Sequence, residues 1–158
     1  MRPSSCFAAP LNRPVDHQIP YTKQALKQDL LRLRNAWHSF QESRDRDAVY
    51  GYLSPVFDLV AWWTTEKRAL ERARKALRLQ NISSSDHDEP FAAIIRCTAD
   101  HAKVDKRTRS KWSRVLRYAL AYKAHSERLD QFIKRKDGLN ACASRFARCL
   151  GRRGLNLA

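Results

Sequence analysis

Between residue 21 and the C-terminus the chain holds only four glycines (Gly51, Gly138, Gly151, Gly154) and two prolines (Pro55, Pro90). Hairpin-linked strands need tight turns, and tight turns draw heavily on Gly and Pro. A body with so few breakers, rich in Leu, Ala, Arg and Lys, is restricted to helices. The expected fold class is all-α: a multi-helix bundle with a helix–turn–helix-like C-terminal half and a disordered N-terminal arm.

Apolar spacing places the helices. Leu26, Leu30, Leu33, Trp37 and Phe40 recur at intervals of 4, 3, 4 and 3, a one-sided stripe of four turns. Thr22 suits its N-cap. A short helix is expected over 46–53, and Ser54-Pro55 should then restart a helix that runs unbroken to Leu79, with Pro at the first helical position. The stretch NISSSDHDEP (81–90) is the main internal break. Asp88 should cap the next helix, PFAAIIRCTAD. Thr108 or Asp105 should open the following one, whose apolar face is Trp112, Val115, Leu116, Ala119 and Tyr122. Ser126 and Glu127 precede a brief helix ended by Gly138, in the manner of a left-handed C-terminal glycine. A last helix, lined by Leu139, Cys142, Ala143, Phe146 and Leu150, should stop before Gly151. The division expected from this pass is an arm (1–20), a packing or dimerisation half (21–82), a basic nucleic-acid-binding half (88–150) and a basic tail (151–158).

Charge decides the class of partner. The chain has 31 Lys and Arg against 16 Asp and Glu, a formal net charge of +15. Residues 1–43 contribute +3 and residues 44–98 only +1, whereas 99–158 hold sixteen basic residues against five acids, for +11. A field concentrated in one segment attracts a polyanion to a definite place. Double-stranded DNA is the favoured partner, with RNA or an acidic protein bound by a helical adaptor as alternatives.

The candidate reading unit is PFAAIIRCTAD, its connection, and KRTRSKWSRVLRYALAYK. A recognition helix must be apolar where it docks and basic where it meets DNA, with base-reading residues near its N-terminus. Arg107, Lys111 and Arg114 fall at i, i+4 and i+7, beside Lys106, Thr108, Arg109 and Ser110, and Arg117 extends the same polar side. Arg suits guanine because its fork spans O6 and N7, and a helix N-terminus near Thr108 and Arg109 favours a phosphate. The segment TRSKWSRVLRYA resembles recognition-helix segments in small regulators and partition proteins of plasmids; no residue role is carried over from that likeness. The last helix adds Arg145, Arg148, Arg152 and Arg153, and Lys134, Arg135 and Lys136 precede it; dispersed charge of this kind suits phosphate contacts. The run Lys134–Lys136 would repel itself unless neutralised. The expected role is transcriptional or mobile-element regulation.

Catalytic and metal chemistry are weakly supported. No glycine loop cradles a phosphate. Ser85, Asp86, His87 and Asp88 are hydrolase residue types, but sequential neighbours do not converge as a triad must. Cys97 and His101 make the only close Cys–His pair, and Cys142 and Cys149 lie seven apart; a structural zinc site takes closer pairs. Neither enzyme activity, metal nor cofactor is expected. Four cysteines (Cys6, Cys97, Cys142, Cys149) in a chain with no hydrophobic leader read as reduced thiols of a cytoplasmic protein, and no apolar run reaches the length of a membrane span. Trp62-Trp63, with Phe57, Tyr50 and Tyr52, reads as core plus a self-association surface. The Leu26–Phe40 stripe also suits a coiled-coil seam, so a homodimer through the N-terminal helices is expected.

Overall fold

In a computed structural model, residues 20–85 and 89–153 are described, the last three as backbone only. They form seven helices and no strand: α1 (Lys23–Glu42), α2 (Val49–Thr65), α3 (Ala69–Leu79), α4 (Pro90–Thr98), α5 (Lys106–Tyr122), α6 (Leu129–Arg135) and α7 (Leu139–Arg153). The all-α architecture is as the breaker-poor sequence requires. The expected arm (1–20, save Pro20), Asp88, and the end of the tail fall outside the described residues.

Local chemistry sets most ends. Thr22 caps α1, its hydroxyl accepting from Ala25 N–H at 3.1 Å. Asp105 caps α5, its carboxylate accepting from Thr108 N–H at 2.8 Å, so the cap is Asp105 and Thr108 lies inside the first turn. At α4 the cap is Glu89: its two carboxylate oxygens accept from Phe91 N–H and Ala92 N–H at 2.8 and 2.9 Å, with Pro90 just inside. The acid directly before the proline can reach these N–H groups.

Two boundaries differ from the sequence reading. Helix α2 runs straight through Pro55 instead of restarting there. Tyr52, Leu53, Val56 and Phe57 are buried on both sides of the proline and hold the helix together. Gly51, four residues earlier, is exposed, where water can satisfy the carbonyl that Pro55 leaves without a donor. The break falls instead at Glu66–Arg68. Lys67 adopts a left-handed φ of 59°, and Arg68 N–H reaches back to the Trp63 carbonyl at 2.9 Å, a Schellman closure without glycine. The same closure recurs with Asn81 after α3 (Ile82 N–H to Leu77 O, 2.9 Å) and with Asp137 after α6 (Gly138 N–H to Ile133 O, 2.8 Å). At α6, then, Asp137 holds the left-handed cap and Gly138 follows it. Helix α7 continues past Gly151 to Arg153.

The core is built around α2, which packs on α1, α3, α4, α5 and α6. Trp37 of α1 lies edge-on to Tyr52 of α2 and Trp112 of α5, at centroid distances of 5.1 and 6.2 Å, with Phe40 closing the group. The Tyr52 hydroxyl bonds the Thr98 hydroxyl at 2.7 Å, tying α2 to α4 inside the core. One cluster of buried side chains extends from Leu26 to Phe146. Helices on both sides of the 81–90 break therefore share one core. We expect a fragment of residues 88–158 to lose Tyr52, Trp37 and Leu77 from that core and to show no cooperative thermal transition by circular dichroism, whereas the full chain shows one.

The stripe expected to mediate dimerisation is internal. Leu26, Leu30, Leu33 and Trp37 are all buried within the chain's own bundle, and Trp63 with them. On that side Trp62 stays 44% exposed, edge-on to Tyr21 at 5.5 Å, and Leu31 stands out to solvent.

Candidate nucleic-acid interface

Helix α5 carries Lys106, Arg107, Arg109, Lys111, Arg114 and Arg117 and no acid along its length. None of the six forms an ion pair among the described residues. Its inner side is deeply embedded: Trp112, Ser113, Val115, Leu116, Tyr118 and Ala119 are buried, and it packs on α2, α4, α6 and most extensively α7. Lys106, Arg107 and Ser110 are exposed, whereas Thr108, Arg109, Lys111, Arg114 and Arg117 are half-buried. The Nε atoms of Arg109, Arg114 and Arg117 are covered and have no hydrogen-bond partner among the described residues.

Helices α5 and α7 run parallel. Lys111 Nζ donates to Asn140 Oδ1 at 3.0 Å, the Arg117 guanidinium lies 4.7 Å from the Phe146 ring centroid, and Tyr122 donates to Cys149 Sγ at 3.8 Å, so both helices rise together. Their N-termini lie at one end, and Arg148 stands on the face of α7 turned away from its buried side. Arg148 is exposed. Arg152 and Arg153 sit on the last turn of α7, and their side chains lie outside the described residues.

Other expected contacts have partners within the protein. Lys134 donates to Asp47 at 2.7 Å, and Arg135 makes a two-pronged pair with Glu127 at 2.9 Å, so two charges of the Lys134–Lys136 run are neutralised from within. Arg145 donates to the Lys136 carbonyl at 2.7 Å and to Asp137 Oδ2 at 3.0 Å, clamping the turn before α7. Arg117, against Phe146, also faces the Glu89 carboxyl, which burial pushes above its usual range despite its bonds from Ala92 and Phe91. The N-terminus of α5 is occupied as well. Hydrogen bonds from Thr108 hold the Asp105 carboxyl below its usual range, with Arg107 and Arg109 adding to the effect, so a negative charge stands where a phosphate was expected.

A second cationic surface went unseen in the sequence. Helix α3 presents Arg72, Arg74, Lys75 and Arg78 against Glu71 alone. With Lys23 at the start of α1 and Arg68, most of these line a groove of about 690 Å³. Averaging over 44–98, with its eight acids, concealed it. The run ERARKALR (71–78) is the signal that could have revealed it.

Among the described residues no group of three or more His, Cys, Asp and Glu could hold a metal ion. Cys97 is buried while His101 turns to the Arg96 carbonyl at 3.1 Å, so the pair does not converge. Burial pushes the Cys97 thiol up to about 12 and raises that of Cys142 as well; thiols so held stay protonated and unreactive. In a Cys6→Ser variant at pH 8 we expect maleimide to modify the half-exposed Cys149 first, and Cys97 and Cys142 only after unfolding in guanidinium. Mass spectrometry of the modified protein checks this.

No helix among the described residues is long and apolar enough to cross a membrane. No protein-family model matches the chain, and neither a curated protein nor a solved structure does.

Proposed function

We propose that this protein binds double-stranded DNA along the seam of α5 and α7, as a small non-catalytic regulator of transcription or of a mobile element. The observation that supports the reading is the acid-free α5, whose six cations form no salt bridge among the described residues. Several cations on other elements are instead matched to acids: Arg68 to Glu71, Arg72 to Glu66, Arg128 to Asp130, Lys134 to Asp47. A ridge of cations without salt bridges attracts an external polyanion. Phosphates of B-DNA supply the countercharge, and release of their condensed cations drives binding.

The test is a titration of duplex DNA, single-stranded DNA and RNA at 50 and 200 mM salt. Duplex DNA should bind tightest, with a slope of log affinity on log salt of about −0.9 for each phosphate neutralised. RNA ranking first would replace the reading with RNA binding. Weak binding to all three would favour an acidic protein partner.

A further inference from the structure

We infer that α7, rather than α5, is the helix that reads base edges, and that α6 and α7 form the helix–turn–helix pair. The inference rests on the DNA-binding reading above and assigns its specificity to a definite face.

The connections decide which pair has the right form. A helix–turn–helix joins its helices by three or four residues, often with a glycine. Seven residues, 99–105, separate α4 from α5, whereas 136–138 alone separate α6 from α7. The short turn is made by two successive positive φ values, 72° at Asp137 and 100° at Gly138. It is closed by Asp137 N–H to the Lys134 carbonyl at 3.1 Å and Gly138 N–H to the Ile133 carbonyl at 2.8 Å. Arg145, from the second turn of α7, grips the Lys136 carbonyl and the Asp137 carboxylate across it. That clamp fixes the direction in which α7 leaves the turn.

Accessibility points the same way. Helix α5 lies among α2, α4, α6 and α7, with an acid at its N-terminus, so it is scaffold over most of its girth. Helix α7 packs on α5 and α6 through Cys142, Ala143 and Phe146 and leaves its opposite face open. That open face is Asn140, Ser144, Ala147 and Arg148, at i, i+4, i+7 and i+8, all exposed. Asn can bond adenine N6 and N7 together, Arg can bond guanine O6 and N7, and Ala can touch a thymine methyl. The small Ser144 and Ala147 side chains between them let the helix axis approach the groove floor. The helix spans about 22 Å, enough to lie in a major groove. Lys111, already bonded to Asn140, and Arg107 then stand beside the reading face, where a flanking phosphate would run.

The experiment begins by selecting a preferred sequence from a random duplex library with the full-length protein. Affinities for that duplex and for a scrambled one are then compared among Arg148→Ala, Asn140→Ala, Arg148→Lys and Arg107→Ala, each checked for an unchanged melting temperature. Arg148→Ala and Asn140→Ala should weaken the preferred duplex about 5- to 150-fold and the scrambled one by much less. Arg148→Lys should keep the scrambled affinity but not restore selectivity, because an ammonium lacks the two-pronged fork. Arg107→Ala should lower both alike. Two outcomes overturn the inference: equal losses on both duplexes for Arg148→Ala and Asn140→Ala, or a preference that Arg107→Ala alone removes. Selection that yields no preferred sequence, with duplexes still bound, also overturns it and leaves the DNA-binding reading standing. Absence of any duplex binding overturns that reading first.

Discussion

Trp37→Ala should destabilise the protein by about 3–5 kcal/mol, the range for deleting a buried aromatic side chain. Trp37 is 2% exposed and touches rings from α2 and α5 as well as Phe40 of its own helix. No neighbouring side chain is free to collapse into the space, because Tyr52 is held by Thr98 and Trp112 is itself packed against Phe40 at 6.2 Å. Against a typical total of about 5–15 kcal/mol, such a loss is large. It should lower the melting temperature by roughly 6–20 °C. Urea denaturation followed by tryptophan fluorescence and by circular dichroism measures it. A loss below about 1 kcal/mol would mean that the four rings do not form the structural centre. Trp62→Ala is the matched control: its ring is partly solvated at the surface, so its removal should cost much less.

The contrast between the two tryptophans bears on what the sequence can disclose. The 4-3-4-3 stripe of α1 identifies an apolar face, but periodicity is the same whether that face meets its own bundle or a second copy. Burial of Leu26, Leu30, Leu33 and Trp37 within the chain answers a question that spacing leaves open. Helix starts were legible where a capping side chain announces them, as at Thr22, and nearly so at Glu89, one residue from the expected cap. Helix ends were not. Lys67, Asn81 and Asp137 all take the left-handed cap usually given to glycine, and tertiary burial of the flanking helices sustains that strain. Pro55 misled for the converse reason, since buried residues on both sides outweigh one lost hydrogen bond.

The candidate site was legible only as a quantity of charge. Composition placed the excess in 99–158, but pairing is long-range. Lys134 meets Asp47 across the fold, and Arg135 meets a glutamate eight residues before it. Of fifteen side chains expected at the interface, the structure gives Lys134, Arg135 and Arg145 carboxylate partners and turns Arg117 toward Phe146 and Glu89. What remains is a smaller set around the α5–α7 seam. It also exposes a rival, the α3 groove, whose arginines a window average had cancelled.

That rival makes charge reversal the most informative measurement. Lys106 and Arg107 are exposed, so Lys106→Glu with Arg107→Glu should leave folding intact. If each contacts a phosphate, losing two contacts removes about two units from the salt slope. Counterion release then accounts for a loss of about 100-fold in duplex affinity at 0.1 M salt, with added repulsion from the new carboxylates. Lys75→Glu with Arg78→Glu makes the same change in net charge on α3, across the bundle's shared core, and should cost less than about fivefold. The pair of variants separates a local surface from the field of the whole molecule, because net charge falls equally in both. Fluorescence anisotropy with a labelled duplex at several salt concentrations gives both affinity and slope. Equal losses would mean that total charge, not the α5–α7 seam, attracts the nucleic acid. A larger loss from the α3 pair would move the interface to the groove beside Lys23, where Arg68, Arg72, Lys75 and Arg78 converge.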